Sequence, residues 1–376
     1  MGVRMRAEPV LSLTEAVGSL PDYLAVGGGA GLALVRELSP DQVIARVRES
    51  GLRGRGGSGF PSAPKWETLR STGRAGYLTC GLADGEPGTF KDRFILRRNP
   101  YQVVEGMMIA AAVLEVAGVF VVIDRSYRTE IIALRRALSE MTADGLLGGV
   151  VVRWVLDPDR DSSIGERCRA GGTHNVETLA HLPSILRRGS EWFRSAGTEN
   201  SPGTTVFTVC GDVRLPGVYE LPLGLPLTVL LDLVCAGAAN GGRIKAVFPG
   251  ASVAPVPASR FDTPLDFDQL RAVGSGLGAA GFIAYDDSAC VVAATRLLAR
   301  DQCPETSEIL QKIEAGDANV ADLLTLRSKG RMVAGALAAF EDEFVAHLGR
   351  GCPHPRQLER PKLVDFDEER DCTVKS

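Results

Sequence analysis

No stretch of this sequence is long and apolar enough to read as a membrane span. The nearest candidate, MMIAAAVLEVAGVFVVID (107–124), is broken by Glu115 and Gly118. Its shift from Ala/Met to Val/Phe reads instead as a helix running into a buried strand. The start, MGVRMRAEPVLSLTEAVG, lacks the apolar core of a signal peptide. A cytoplasmic protein with no direct membrane span is expected, with peripheral attachment to a membrane-bound complex left open. A net charge of −4 offers no surplus of cations, so no nucleic-acid partner is expected. Internal repeats and low-complexity blocks are missing as well. The eight cysteines, at 80, 168, 210, 235, 290, 303, 352 and 372, form no C-x-x-C pair. Most lie in apolar surroundings, and reduced, buried thiols are the simplest reading.

Glycine is plentiful, at 43 residues, which implies many tight turns or close backbone approaches. Five of these fall in GLRGRGGSGFPSAPKW (51–66), a stretch with three strong cations and no acid. Bare backbone beside positive charge suits a phosphate. The spacing Gly54, Gly56, Gly59 satisfies G-x-G-x-x-G, but that fingerprint needs a strand before it. Here SPDQVIARVRESG (39–51) reads as a helix. Ser39 caps it, Pro40 fits the first turn, Gln42 completes a capping box and Gly51 ends it. The loop is therefore not a Rossmann fingerprint, and it lacks the Gly-Lys-Ser/Thr of a P-loop.

After the loop, AGYLTCGL (75–82), GVFVVID (118–124) and GVVVRWVL (149–156) read as buried strands, with helices over 99–116 and 126–145. Val-rich strands alternating with helices imply an α/β fold, a parallel Rossmann-like sheet covered on both faces. Ligands of such sheets sit at the carboxyl ends of the strands, where CGLADGEPGTFKDR (80–93) lies. A polar linker, SAGTENSPGT (195–204), leads into a small α+β module of strand, turn, strand, helix and strand. SEILQKIEAG (307–316), NVADLLTLRSKG (319–330) and RMVAGALAAFEDEFVAHLG (331–349) are helical. The polar tail from Cys352 is expected to lie along the surface or to be loose. The expected boundaries are an N-terminal helical segment (1–50), an α/β domain (51–198), an α+β domain (199–285), a helical domain (286–350) and the tail (351–376).

Several stretches, in order along the chain, resemble one family. They are DYLAVGGG (22–29), GLRGRGGSGFPSAPKW (51–66), EPGTFKDR (86–93), NPYQVVEGMMIAA (99–111), HNVETLAHLPSIL (174–186) and GTTVFTVCGDVRLPGVYE (203–220). They are similar to the NADH-binding flavoprotein subunit of respiratory complex I, shared with NAD-linked hydrogenases and formate dehydrogenases. The resemblance implies FMN and NADH on the 51–198 sheet. It further implies a β-grasp (SLBB-like) domain at 199–285 and a C-terminal helical bundle at 286–350, which in the family carries a [4Fe–4S] cluster. In that family NADH gives a hydride to the flavin, which passes single electrons onward. On that footing Gly54, Arg55, Gly56, Gly57, Gly59 and Lys65 hold phosphate, and Phe60 offers an aromatic face to a ring. Glu86 is the candidate catalytic acid beside the nicotinamide. Asp84, Gly165, Glu166, His174, Asn175 and Thr178 are the remaining cofactor contacts implied.

Three departures fall on cofactor-contacting pieces. The family's N-A-D-E-S-E-P-G is Gly81-Leu82-Ala83-Asp84-Gly85-Glu86-Pro87-Gly88 here. A flavin loses two partners at Gly81 and Ala83, each worth on the order of 1 kcal/mol. Where the family has C-G-E-E-T, then tens of residues including K-P-P-F-P, then N-N-V-E-T, this chain has SSIGERCRAGGTHNVET (162–178). Gly165 and Glu166 stand for the G-E, but the second acid is Arg167, and the K-P-P-F-P piece that helps clamp NADH has no counterpart. His174 replaces an amide; it reads either as a flavin contact or as a hydrogen-bonded structural residue. The cluster motif S-C-G-x-C-x-P-C-R and a downstream cysteine supply four thiolates in the family. The matching ARDQCPETSEIL (299–310) supplies only Cys303. No metal site and no [4Fe–4S] cluster are therefore expected.

Two readings follow. The first is a diaphorase-type NADH:acceptor oxidoreductase, in which a ferredoxin-like or other redox partner protein, or a quinone, takes electrons from FMN directly. The second is a non-catalytic scaffold or regulatory paralogue that keeps the fold with a degenerate cofactor site. The 162–178 junction separates them, because an enzyme needs something else there to close over NADH.

Overall fold

The computed structural model describes residues 4, 10, 11, 13, 15–73, 76–82, 84–156, 172–300, 303–354, 356–358, 363–367 and 372–375. Two compact units divide the chain. One comprises Met1–Ala83, Lys91–Val206 and Glu220–Gly224; the other comprises Asp84–Phe90, Phe207–Tyr219 and Leu225–Ser376.

The first unit opens with helices α1 (Leu20–Ala25), α2 (Ala30–Glu37), α3 (Pro40–Ser50) and α4 (Ser62–Ser71). α3 carries both halves of its capping box, with Ser39 Oγ accepting from the Gln42 N–H and Gln42 Oε1 accepting from the Ser39 N–H. Gly51, at φ 69°, ends it in the left-handed conformation that glycine adopts without strain. Next come β1 (Leu78–Gly81), α5 (Lys91–Arg98), α6 (Pro100–Leu114), β2 (Gly118–Val122), α7 (Arg128–Ala143), β3 (Val151–Val155) and β4 (Thr173–Asn175). The helices Val176–Arg188 and Ser190–Arg194 follow.

α6 is apolar and buried almost all round, and it stops at Glu115 before β2 begins, so 107–124 is a helix running into a strand. Its one buried acid, Glu105, is fully matched. It accepts from Tyr23 Oη at 2.5 Å, from the Gly29 N–H at 2.7 Å and from the Leu32 N–H at 3.0 Å. Two amides at the start of α2 that would otherwise lack acceptors are satisfied in this way.

The strands stand in the order β3-β2-β1-β4, and every pairing is parallel. β1 and β2 are buried on both faces, whereas β3, at the edge, is partly exposed along most of its length. The chain steps outward from β1 through β2 to β3, then returns to the other side of β1 for β4. That reversal makes the carboxyl ends of β1 and β4 the switch point of the sheet, where such folds bind ligands.

The second unit holds a mixed sheet of β5 (Thr204–Gly211), β6 (Gly217–Pro222), β7 (Ile244–Pro249), β8 (Val256–Pro257) and β9 (Gly281–Asp286), in the order β6-β5-β9-β7-β8. The first residues of β5 and the last of β6 belong to the first unit. β5 and β9 run parallel at the centre and β7 is antiparallel to β9, a β-grasp arrangement. Helices Val291–Ala299, Pro304–Ala315, Val320–Leu326, Gly330–Ala339 and Glu341–Ala346 complete the unit around a core that includes Leu310, Ile313, Leu326 and Phe344. Among the described residues no helix is long and apolar enough to cross a membrane. Towards the C-terminus, Leu363–Asp367 pairs antiparallel with Cys372–Lys375.

α6 and the helix Val176–Arg188 cross at Gly106, where a β-carbon would collide with the Leu179 carbonyl. The obstacle is backbone, so no side-chain adjustment relieves it. Gly106→Ala is expected to destabilise the protein by about 2 kcal/mol or more, read from urea unfolding; a wild-type midpoint would show that the helices can part freely.

Candidate functional site

A cavity of about 300 Å³ sits at the β1/β4 switch point, at the lower edge of the usual ligand-site range. It brings together seven of the sequence-predicted residues, Gly54, Gly56, Phe60, Lys65, His174, Asn175 and Thr178, with Gly81, Leu82 and Thr173 among their neighbours. The first unit also has a cavity of about 730 Å³, bordered by Tyr23, Gln102 and Arg187, which holds none of the predicted residues.

The glycine loop is closed at its base and open at its tip. Gly54 donates its N–H to the Phe60 carbonyl and Ser62 to the Leu52 carbonyl, both at 2.9 Å. Between them, the amides of Gly56, Gly57, Ser58 and Gly59 donate to no described residue. Gly57 at φ 117° and Gly59 at φ 63° hold conformations that favour glycine. At Gly56 a β-carbon would come within 3.1 Å of Asn175 Cβ, so a side chain there would fill the space under the loop. A run of N–H groups without a described partner on a curved backbone suits an anion.

Lys65 projects from α4 and donates to the Thr173 carbonyl. Burial pushes its ammonium below the usual lysine value, and a bound anion would restore it. Phe60, 55% exposed, presents its ring at the rim. His174 is engaged at both nitrogens. Nε2 accepts from the Trp66 indole at 2.7 Å, which makes Nδ1 the donor to the Gly172 carbonyl at 2.9 Å. Burial drives its pKa down to about 3, helped by the charge of Lys65 and opposed by the Gly172 bond. Neutral and pinned, His174 ties β4 to α4 and has only its ring to offer the cavity.

Arg55 is likewise occupied. Its N–H donates to Thr178 Oγ1 at 2.8 Å, and its buried guanidinium reaches the carbonyls of Arg53, Pro202 and Thr204 at 3.0–3.2 Å. The side chain thus anchors the loop, and the cavity is not lined by it. Burial lowers its pKa to about 10, partly offset by Glu177.

Beneath the cavity lies an ionic cluster that sequence reasoning assigned no role. Lys91, fully buried at the start of α5, sits 2.6 Å from Asp92 Oδ1, 2.9 Å from Glu177 Oε2 and 3.0 Å from Asn175 Oδ1. Asn175 caps the helix Val176–Arg188 by accepting from the Glu177 N–H, and its Nδ2 donates to Asp92 Oδ2 at 2.5 Å. Glu177 Oε1 accepts from Thr205 Oγ1 at 2.8 Å and from the Val206 N–H at 2.9 Å. Burial alone would raise the Glu177 carboxyl; Lys91, His181 and Arg55 outweigh it and hold the pKa at about 2. The available signal was a charged run, Lys91-Asp92-Arg93, set between Phe90 and the apolar Phe94-Ile95-Leu96.

Glu86 and Asp84 belong to the second unit. Glu86 Oε1 accepts from the Ala251 N–H at 2.7 Å, the Ser252 N–H at 3.0 Å and Ser252 Oγ at 2.9 Å, which fixes it on the turn after β7. Gly165 and Glu166 lie outside the described residues. Cys303 caps the helix Pro304–Ala315 and its Sγ accepts from Thr306 Oγ1 at 3.1 Å. A four-iron cube needs four thiolates. Among the described residues the one group of three or more close thiol, imidazole or carboxylate ligand atoms has two cysteines and excludes Cys303, so these residues do not fit such a cube.

The family model described as the Nuo51 FMN-binding domain matches residues 47–164. An NADH-quinone oxidoreductase subunit of Rhizobium meliloti (strain 1021) is 35% identical, with 92% of this chain and 99% of the relative covered. The 417 aligned positions exceed the length of this chain, so the relative carries segments with no counterpart here. The mitochondrial NADH-ubiquinone oxidoreductase 51 kDa subunit of Neurospora crassa is 31% identical, with 78% of this chain and 71% of the relative covered. Among solved structures, the NAD+-reducing [NiFe]-hydrogenase in its air-oxidized state contains a similar chain. It has a TM-score of 0.73 and 25% identity, covering 89% of this chain and 67% of that one.

The depressed Glu177 carboxyl stabilises the fold above its ordinary value of 4.5, and that contribution is lost as pH falls through about 2. Glu177→Gln is expected to cost about 3–5 kcal/mol at neutral pH, since it takes from the buried Lys91 one of its two carboxylates, and to flatten the fall in stability between those two pH values. Urea midpoints measured across that range check both effects. An unchanged slope would mean that the acid loss arises elsewhere.

Proposed function

Because the chain belongs to the family of NADH-quinone oxidoreductase 51 kDa subunits, we propose that it binds FMN at the β1/β4 switch point and oxidises NADH. Electrons then leave to a ferredoxin-like protein or quinone that meets the flavin directly. The observation that carries this reading is the glycine loop, four consecutive amides without a described partner beside a half-buried lysine. When bound, FMN supplies hydride acceptance from NADH and release of electrons one at a time.

The chain's own part is to bind and orient. The amides of Gly56 to Gly59 and the Lys65 ammonium hold the phosphate, replacing water with donors already in place. Phe60 provides an aromatic face for a ring at the rim. Thr178 and Asn175 hold the loop and the helix start beneath it through Arg55 and Lys91. Gly81 lines the cavity without a side chain, so it would offer a bound flavin no side-chain hydrogen bond. The proposed path uses no iron–sulfur cluster, because the described thiols do not form its ligand set.

Flavin fluorescence during FMN titration, followed by anaerobic addition of NADH, tests the reading. Quenching on binding and bleaching of the visible band on NADH addition are expected. A protein that binds FMN but does not bleach supports the scaffold alternative, and one that binds no FMN at micromolar levels overturns the site. Lys65→Ala is expected to weaken FMN by about 1.5–3 kcal/mol, roughly ten- to hundredfold in Kd. An unaltered Kd would place the phosphate elsewhere.

A further inference from the structure

In the helical part of the second unit, Cys290, His347 and Cys352 each offer one donor atom, and the three atoms lie within 4.8 Å of one another. No sequence motif announces them, because Cys290 and His347 are 57 positions apart. Cys290 is buried and caps the helix Val291–Ala299, its Sγ accepting from the Ala293 N–H at 3.4 Å. His347 is fully buried, and its Nδ1 lies 2.7 Å from the Glu343 carbonyl. A carbonyl can only accept, so Nδ1 carries the proton and Nε2 the lone pair. That lone-pair nitrogen is 3.2 Å from Cys290 Sγ. Metal-bound histidines are oriented in this way, one nitrogen on the ion and the other donating to a carbonyl.

Glu343 is itself held on its side-chain side. Its carboxylate accepts from Lys245 Nζ at 2.9 Å and from the Val291 N–H at 2.7 Å, which locks His347's orienting residue to the start of the helix that Cys290 caps. Cys352 arrives after Gly349 and Gly351, at φ 69° and 73°, and its N–H donates to the Glu314 carbonyl at 2.9 Å. It is half-buried, which gives the cluster a path to solvent.

We propose that Cys290, His347 and Cys352 form a binding site for one zinc-class divalent ion, with two thiolates, one imidazole and a water in the fourth position. Ordinary zinc bond lengths place sulfur and nitrogen about 3.5 Å apart and the two sulfurs about 3.8 Å apart around a tetrahedral ion. The 3.2 Å between Cys290 Sγ and His347 Nε2, and the 4.8 Å limit on the distances to Cys352 Sγ, leave side-chain shifts of about an ångström at most to reach it. Thiolates with imidazole favour zinc over magnesium or calcium. A disulfide between Cys290 and Cys352 would leave the His347 lone pair without a role. The site is distinct from a four-thiolate cluster and does not use Cys303.

Cobalt titration of the purified, reduced, full-length protein tests this, with the metal alone as probe. One equivalent per chain, with a thiolate-to-cobalt charge-transfer band and the visible bands of a four-coordinate ion, is expected. Zinc should displace the cobalt. Cys290→Ser, Cys352→Ser and His347→Gln should each weaken binding by about tenfold or more, at least what the loss of an outer partner costs, while Cys303→Ser leaves it unchanged. If these variants do not fold, thiol labelling of the wild-type protein decides. Zinc should protect Cys290 and Cys352 from alkylation and leave Cys303 reactive. Absence of the charge-transfer band, equal labelling with and without zinc, or a band lost on Cys303→Ser would overturn the site.

Discussion

A lysine ammonium with no access to water sits at the base of this site, and the first unit is arranged around neutralising it. Lys91 is 0% exposed, and an isolated ion there would be prohibitively costly. Its partners come from its own helix at Asp92 and from the cap and first turn of the helix Val176–Arg188, at Asn175 and Glu177. Glu177 then reaches the first residues of β5, and Thr178, one residue on, holds the backbone of the glycine loop. A single charge balance thus joins α5, the end of β4, the loop and β5. The cavity stands at that meeting point, so its shape follows from the requirement that Lys91 be satisfied.

The cations of the glycine loop divide their labour in a way that composition does not reveal. Arg53 and Arg55 face backbone carbonyls and hold the loop's curvature. Lys65 alone of the three lines the cavity. The positive charge offered to an anion is therefore one ammonium plus the partial charges of the loop amides. On the proposed reading, such a site would recognise phosphate through preorganised backbone and one ammonium, not through an arginine fork.

Much of the fold was legible because its signals are local. The Ser39-Gln42 capping box, the Gly51 stop and the Val-rich β1 and β2 depend on neighbours in sequence. The switch point was legible only in part. Strand alternation implies a parallel sheet, but the placement of β4 beside β1 depends on pairing between residues almost a hundred positions apart. Long-range contacts also account for the features that were missed. His174 was left open between two roles until Trp66 and Gly172 were seen to occupy both nitrogens. Lys91 and Glu177 lie inside recognisable stretches, yet nothing local tells a buried ion pair from two solvated charges. The Cys290–His347–Cys352 group is the extreme case, because a helix cap 57 positions earlier in the chain joins His347 and the glycine turn that follows it.

The central claim, that the glycine loop over the Lys91 cluster is an anion cradle, is tested most directly by hydrogen exchange with and without FMN. Exchange should slow in peptides covering 54–60 and 173–178, where amides of the loop tip gain acceptors and the ground beneath it tightens. Unchanged exchange there, or protection confined to the residues around the 730 Å³ cavity bordered by Tyr23 and Arg187, would contradict it.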